Sequence, residues 1–186
     1  MDAPRLRADA RRSRDAIVAA FAELAAERGV EVPMYEVARR AGVGQGTLYR
    51  HFPSRTALVA ATVESAIDDL EQLGRAGAGQ PDLLFQLLDV ATRGQATLHG
   101  LSSALIAAPD AGPELQHLAE RNAGLFIQPL SNAREAGLVR EDVTLRDIVA
   151  VMSMMEGMLI GIASVADREA AVERGMRIAL RGIRPA

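Results

Sequence analysis

The sequence contains no cysteine, no lysine and no tryptophan, and aromatic residues make up only 3% of its 186 residues. Without cysteine the chain cannot form disulfides, carry a thiol nucleophile or bind zinc through thiolates. With so few aromatic rings the core must consist mainly of Ala, Leu, Val, Ile and Met, a set that favours helices over sheets. The three histidines are scattered and lack the spacing of metal ligands. We therefore expect an all-α protein that holds neither a metal nor another cofactor.

Membrane insertion and catalysis find little support in the sequence. The N-terminus has no apolar segment of the kind that a secretory signal needs. Residues 148–166 form the longest weakly charged stretch, but Glu156 lies in its middle and would be costly in lipid. No Ser-His-Asp set stands out, and the glycine-rich segment 74–81 lacks the lysine of a nucleotide-binding loop. We expect a cytoplasmic protein that is not an enzyme.

The net charge of −3 is unevenly divided along the chain. Residues 1–58 carry a net charge of +3, whereas the remainder carries −6. Every basic side chain is an arginine, which suits bidentate contacts with phosphate and guanine. A cationic N-terminal third is what neutralisation of a phosphate backbone requires.

Residues 34–55 have the order of parts of a helix-turn-helix. Val37 and Ala41 lie on one apolar face, and Gly42 follows where a helix ending in a left-handed residue favours glycine. Leu48 and Phe52 are four residues apart and continue the buried face in a second helix. The side chains of that second helix that point elsewhere suit phosphates and base edges. The alternative is a pair of short helices packed in an unrelated all-α core.

Two runs in this stretch resemble the DNA-binding domain of TetR-family transcriptional regulators. They are Val-Ala-Arg-Arg-Ala-Gly-Val at 37–43 and Gly-Thr-Leu-Tyr-Arg-His-Phe-Pro-Ser-Arg at 46–55. The resemblance covers residues 12–59. It departs from the family at Pro33 and Met34, which stand where members usually carry a Ser or Thr that contacts phosphate.

The resemblance implies roles for residues in and after the second helix. Thr47, Tyr49 and His51 match family positions that grip phosphates, and Arg55 should also touch a phosphate. Gln45 and Gly46 would lie at its groove-facing start, with Gln45 able to pair with adenine. Arg50, at a variable position, is our candidate for a guanine contact. His51 either grips phosphate or packs as a neutral residue under the next helix. The predicted DNA-binding set is Tyr35, Arg39, Gln45, Gly46, Thr47, Tyr49, Arg50, His51 and Arg55.

The whole chain is predicted to hold about nine helices. Apolar residues at helical spacing predict helices over residues 13–27, 35–40, 45–51, 55–74, 82–101, 114–136, 145–165 and 168–182. Residues 1–11 are predicted to be a flexible arm, which either reaches DNA or stays solvated. A short helical segment at 101–108 would precede a loop at 109–113, and Pro129 predicts a kink in its helix. We divide the chain into a three-helix DNA-binding domain, 1–57, and a helical ligand-binding and dimerisation domain, 58–186, for which an SbtR-like C-terminal domain is one form.

Resemblance to the family also implies a ligand cavity in the second domain. Glu156 is a lone carboxylate in an apolar helix and needs a partner, either an arginine across a dimer or a cationic ligand. For each residue of the predicted lining, the alternative is a position in the hydrophobic core without any contact to a ligand. The predicted lining is Phe85, Leu88, Thr92, Gln95, His99, Phe126, Met152, Met155 and Glu156.

The helix predicted at 145–165 is apolar almost all round, so one side should face a partner. The resemblance implies a homodimer through helices 8 and 9, whereas a buried central helix in a monomer is the alternative. The chain is thus expected to be a DNA-binding transcriptional regulator, released as a repressor from a palindromic operator by a small apolar or amphipathic effector. The alternatives are a ligand-independent regulator or activator, and an α-helical small-molecule-binding protein without DNA affinity.

Overall fold

The computed structural model describes residues 3–101, 104–105, 108 and 112–185, with backbone only for 3–7. The predicted all-α class is confirmed, since these ranges contain helices and no strand. The helices are α1 (Ala3–Arg28), α2 (Met34–Arg40), α3 (Gln45–His51), α4 (Arg55–Ala76), α5 (Leu83–Thr97), α6 (Gly112–Gly124), α7 (Ile127–Glu135), α8 (Leu145–Met158) and α9 (Val165–Ile183).

The prediction of a flexible arm at residues 1–11 was wrong for residues 3–11, whereas residues 1 and 2 lie outside the described residues. Helix α1 already begins at Ala3, ten residues before its predicted start. Pro4 is compatible with this start. The backbone N–H groups in the first turn of a helix have no acceptor within the helix, so a proline there costs no helical hydrogen bond. Asp9 pairs with Arg12, and its carbonyl accepts a hydrogen bond from the Ser13 hydroxyl at 3.0 Å, as helical spacing allows.

Three predicted helices were too long, and the first of them, predicted at 82–101, ends at Thr97. The helix predicted at 114–136 is divided into α6 and α7, and Pro129 causes no kink because it lies in the first turn of α7. The helix predicted at 145–165 ends at Met158, and Gly161 follows with φ of +83°. Most of the predicted segments 101–108 and 109–113 lies outside the described residues, although Gly112 and Pro113 belong to α6.

The chain forms two compact units. Unit 1 comprises residues 1–65 and 100–115, and unit 2 comprises 66–99 and 116–186. In unit 1, α1 contacts α2 and α3, which also contact each other. Ile17, Phe21 and Leu24 of α1 are buried, as are Leu48 and Phe52, which form the three-helix core expected from their spacing.

Unit 2 is organised around α5, which contacts α7, α8 and α9. Its core cluster takes Leu84, Leu87 and Leu88 from α5, together with Phe126 and Ile148. The passage from one unit to the other falls within α4, between Ser65 and Ala66. In the described ranges, no helix combines the length and apolar character needed to cross a membrane.

Candidate functional site

A glycine turn fixes the step from α2 to α3. Gly42 has φ of +68°, and its N–H donates to the carbonyl of Arg39 at 3.2 Å. The N–H of Val43 donates to the carbonyl of Ala38 at 3.0 Å. These two bonds form a Schellman motif around Gly42, the position where the sequence predicts a left-handed residue that ends the helix. Gly44 then stands at the N-cap of α3.

Helix α3 presents a polar face to solvent. At about 100° per residue, Gln45, Gly46, Tyr49 and Arg50 fall within an arc of about 140°, and all four are exposed. Leu48 lies on the opposite side and is fully buried. The exposed arc combines an amide, a phenol and a guanidinium, which can donate to phosphate oxygens and read base edges.

Gly46 leaves open space on this face. A Cβ atom built at Gly46 would meet no heavy atom within 4 Å, and its φ is not in the left-handed region. Neither internal packing nor backbone conformation therefore requires glycine here. A surface from outside the chain that approaches the α3 backbone closely would require it.

Arginines around α3 differ in whether their guanidinium group pairs with a carboxylate of the chain. Arg39 of α2 is exposed, like Arg50. Its neighbour Arg40 instead lies 3.0 Å from Glu23 and 3.6 Å from Glu27, and the Glu23 hydrogen bond raises the pKa of its guanidinium. Tyr35 is also exposed, and its hydroxyl donates to Glu36 at 3.4 Å.

Three members of the predicted DNA-binding set are half-buried. The Nε2 atom of His51 is closed off from solvent and has no hydrogen-bond partner among the described residues. Arg55 donates from Nη1 to the carbonyls of Val30 and Val32, both at 2.6 Å, and thereby ties the α1–α2 loop to the start of α4. Thr47 is half-buried in the first turn of α3. Phosphate contacts by these three residues stay predictions.

Sequence reasoning missed two arginines that hold α4. Arg14 of α1 lies over the Phe52 ring at 5.6 Å and 3.3 Å from Glu64 of α4. In unit 2, Arg121 of α6 lies 2.7 Å from both Asp68 and Glu71, and these hydrogen bonds raise the pKa of its guanidinium. No local signal could reveal these pairs, because the partners are about fifty residues apart in sequence.

Most apolar residues predicted for the ligand site belong to the core of unit 2. The core cluster contains Leu88, Phe126, Met152 and Met155, while Phe85 packs against it. Phe85 also lies under the guanidinium of Arg184 at 4.9 Å. Thr92, likewise predicted, is buried, and its hydroxyl donates to the carbonyl of Leu88 at 2.7 Å.

The three remaining polar candidates lie where α5 ends against α8. Gln95 donates from Nε2 to the carbonyl of Met152 at 3.3 Å. His99 and Glu156 come four residues after Gln95 and Met152 in the chain, and Nδ1 of His99 lies 3.3 Å from Oε1 of Glu156. Glu156 therefore has a histidine beside it, where we expected an arginine of the partner or a ligand.

An open groove of about 470 Å³ runs between α5 and α9. Its rim carries Asp89, Arg93, Glu169, Glu173 and Arg177, and its floor is mostly apolar. The arginines are paired within their own helices, Arg93 with Asp89 at 2.9 Å and Arg177 with Glu173 at 3.0 Å. Of the residues predicted to line a ligand site, only Thr92 faces this groove. In the part of the chain that is described, no cluster of three His, Asp or Glu side chains could hold a metal ion.

Comparisons with known proteins agree with this geometry. Residues 17–62 match the family described as bacterial regulatory proteins, tetR family. Residues 80–185 match the family described as transcriptional regulator SbtR-like, C-terminal domain. A comparison with curated protein sequences gives no match.

Solved structures are similar over nearly the whole chain. A TetR transcription regulatory protein from Mycobacterium vanbaalenii is 32% identical, with 97% of this chain and 99% of that chain covered and a TM-score of 0.73. The TetR transcriptional regulator SCO0520 from Streptomyces coelicolor is 28% identical, with coverage of 93% and 99% and a TM-score of 0.68. A gamma-butyrolactone receptor, ArpA-like, shares the fold at 21% identity, coverage of 95% and 91%, and a TM-score of 0.59.

Proposed function

Because the chain belongs to the TetR family of bacterial regulatory proteins, we propose that it is a repressor that leaves a palindromic operator when a small molecule binds to unit 2. The observation that carries DNA recognition is the exposed arc of α3, with Gln45, Gly46, Tyr49 and Arg50 on one side. The Schellman turn at Gly42 holds this arc in one orientation. Gly46 leaves the helix backbone open to close approach.

We assign roles within this arc by chemistry. Gln45 and Arg50 read bases, since an amide can pair with adenine and a guanidinium with guanine. Tyr49 and Arg39 hold phosphates, and Tyr35 adds its hydroxyl. Such contacts set the register of the protein on the duplex without reading sequence. The half-buried Thr47, His51 and Arg55 are assigned to the edge of the same contact.

A second copy of the chain is the partner that best fits α8 and α9. The exposed side of α8 between Val149 and Met158 carries no charged residue. Beyond α8 and on α9, Ile160 and Ile178 are 77% and 66% exposed. A monomer gains nothing from so much exposed apolar surface, whereas a homodimer through these helices would bury it. Two copies of α3 then read two half-sites, which explains why the operator should be palindromic.

Effector release follows if the ligand prefers one of two conformations. Helix α4 begins beside α3 in unit 1 and ends in unit 2, so a change in unit 2 can alter how α3 is held. The ligand must bind the DNA-free conformation more tightly, because equal affinity for both would shift nothing. The unit 2 core, rich in methionine and leucine, supports a small apolar or amphipathic ligand.

The test is selection of bound sequences from random duplex DNA by the purified chain at two salt concentrations. We expect a palindrome, with affinity that falls as salt rises. The double variant Arg50→Ala, Tyr49→Phe should no longer bind the selected duplex. Its oligomeric state, measured by light scattering, should equal that of the parent. The matched control, Arg177→Ala, removes an exposed arginine from α9 and should bind like the parent. Unchanged affinity of the double variant would reject the assignment of α3.

A further inference from the structure

Buried polar atoms without a hydrogen bond concentrate at one place in unit 2. Several buried side-chain nitrogen or oxygen atoms in the described residues have no hydrogen-bond partner. Three of them are Oε1 of Gln95, Nδ1 of His99 and Oε1 of Glu156. Leaving a buried polar atom unpaired costs about 1–3 kcal/mol, so three in one cluster require an explanation.

Two pairs of residues stack one turn apart, which places the three atoms in the same part of unit 2. Gln95 lies in the last turn of α5 and His99 lies two residues beyond its end, while Met152 and Glu156 stand one turn apart on α8. The bond from Gln95 to the Met152 carbonyl holds the amide nitrogen, which leaves Oε1 as the free end. Nδ1 of His99 and Oε1 of Glu156 are 3.3 Å apart but are not aligned as a hydrogen bond.

All three atoms can accept a hydrogen bond at once. The amide oxygen and the carboxylate oxygen are acceptors, and Nδ1 of a neutral imidazole is an acceptor when the proton is on Nε2. A primary ammonium group offers three N–H donors, no acceptor and a positive charge for the carboxylate. The chain cannot supply such a group from a side chain, because it contains no lysine.

We propose that Gln95, His99 and Glu156 bind the ammonium group of a primary amine with an apolar tail, which is the effector of this regulator. This inference rests on the proposed function for its regulatory meaning. Met152 and Met155 precede Glu156 on α8 by four residues and one residue, and both belong to the core cluster of unit 2. Their unbranched side chains can move aside for the tail. A carboxylate ligand is repelled by Glu156, and a quaternary ammonium lacks the N–H donors.

The probes are hexylammonium, hexyltrimethylammonium, 1-hexanol and hexanoate, which share one apolar tail and differ in head group. Binding to the full chain is followed by its thermal midpoint and by NMR of the imidazole signals. The chain has only three histidines, so His51 and His117 serve as internal references, and His99→Gln identifies the signal of His99. We expect hexylammonium to bind at least ten times more tightly than the other probes and to move the His99 signal alone.

Glu156→Gln keeps the shape of the side chain and removes its charge, and it should weaken hexylammonium at least tenfold. Glu169→Gln makes the same change on the rim of the α5–α9 groove and should leave binding unchanged. Equal binding of hexyltrimethylammonium, or loss of binding in Glu169→Gln alone, would overturn the proposal. Binding is measured without DNA, so failure to bind DNA would contradict the proposed function and leave this result standing.

Discussion

Arginines of unit 1 use one chemical group for two kinds of contact. Arg39 and Arg50 hold their guanidinium groups in solvent, where phosphate or guanine can reach them. Arg14, Arg40 and Arg55 instead bind carboxylates, a ring or carbonyls of the same unit. The sequence does not distinguish the two groups, because pairing depends on residues that folding brings together from up to fifty positions away.

Arg55→Ala should destabilise the chain by about 2 kcal/mol, because hydrogen bonds to a charged group are worth about 1.5–3 kcal/mol. The change frees the carbonyls of Val30 and Val32 and loosens the loop before α2. Unfolding in urea measures the effect, with Arg39→Ala as the exposed control. If Arg55 serves phosphate contact alone, stability will not change and only DNA affinity will fall.

Gly46→Ala should separate DNA binding from stability. The added methyl group meets nothing inside the chain, and alanine favours a helix over glycine by up to about 1 kcal/mol. Thermal stability should therefore hold or rise, while affinity for the selected duplex falls at least tenfold. Gly42→Ala is the control, because its φ of +68° costs an alanine about 1–2 kcal/mol. Unchanged DNA affinity in Gly46→Ala would show that α3 is not closely approached.

Secondary structure elements were predictable where their ends are set by local chemistry. Helix α3 has the predicted bounds because Gly44 and the residues after His51 define them within a few positions. A capping box formed by Thr144 and Asp147 likewise fixes the start of α8 by local chemistry. Prediction failed between α6 and α7, where the helical spacing continues across the observed break. It also failed at the start of α1, where residues 8–12 stay helical although they are exposed, so no buried apolar face marks them as helix in the sequence.

Asp147 should make the stability of α8 depend on pH. The hydroxyl and the N–H of Thr144 donate to one oxygen of Asp147 at 2.6 and 2.7 Å, and they lower the pKa of its carboxyl group. A lowered folded-state pKa stabilises the protein above the ordinary value of about 4, and this contribution is lost as pH falls through the folded-state value. Asp147→Asn should thus unfold at a lower temperature than the parent at pH 7.

The difference between parent and Asp147→Asn should shrink below about pH 4, when the parent carboxyl group takes up its proton. Thermal melts from pH 2.5 to pH 7 measure the gap. Glu141→Gln makes the same change of charge on the exposed connector before α8 and serves as the control. A gap that stays constant with pH would mean that the carboxylate charge does not contribute to the cap.

The molecule as a whole joins a cationic N-terminal third to an acidic remainder. That division, the helical class and the α2–α3 surface were visible in the sequence, because each follows from composition or local spacing. The cluster of Gln95, His99 and Glu156 was only partly visible. Its members were predicted as separate lining residues, but their convergence depends on how α5 packs on α8.

The salt dependence of DNA affinity should show whether two DNA-binding units of one assembly contact DNA together. Each phosphate neutralised by arginine contributes about −0.9 to the slope of log Kobs against log salt. Arg39→Ala removes one exposed arginine per chain, so a dimer that binds through both copies of α3 should lose about two units of slope. The slope is measured by fluorescence anisotropy with the selected duplex. The salt concentration is varied from about 50 to about 300 mM, a range on the order of physiological ionic strength.

Arg177→Ala is the control for the salt series, since Arg177 pairs with Glu173 on α9 and should not alter the slope. A loss of about one unit would indicate that one chain binds DNA, which would contradict the palindromic operator while keeping α3 as the reading helix. No loss would indicate that Arg39 contacts no phosphate. The measurement therefore tests the assembly and the residue together, because the slope counts contacts whereas a single affinity does not.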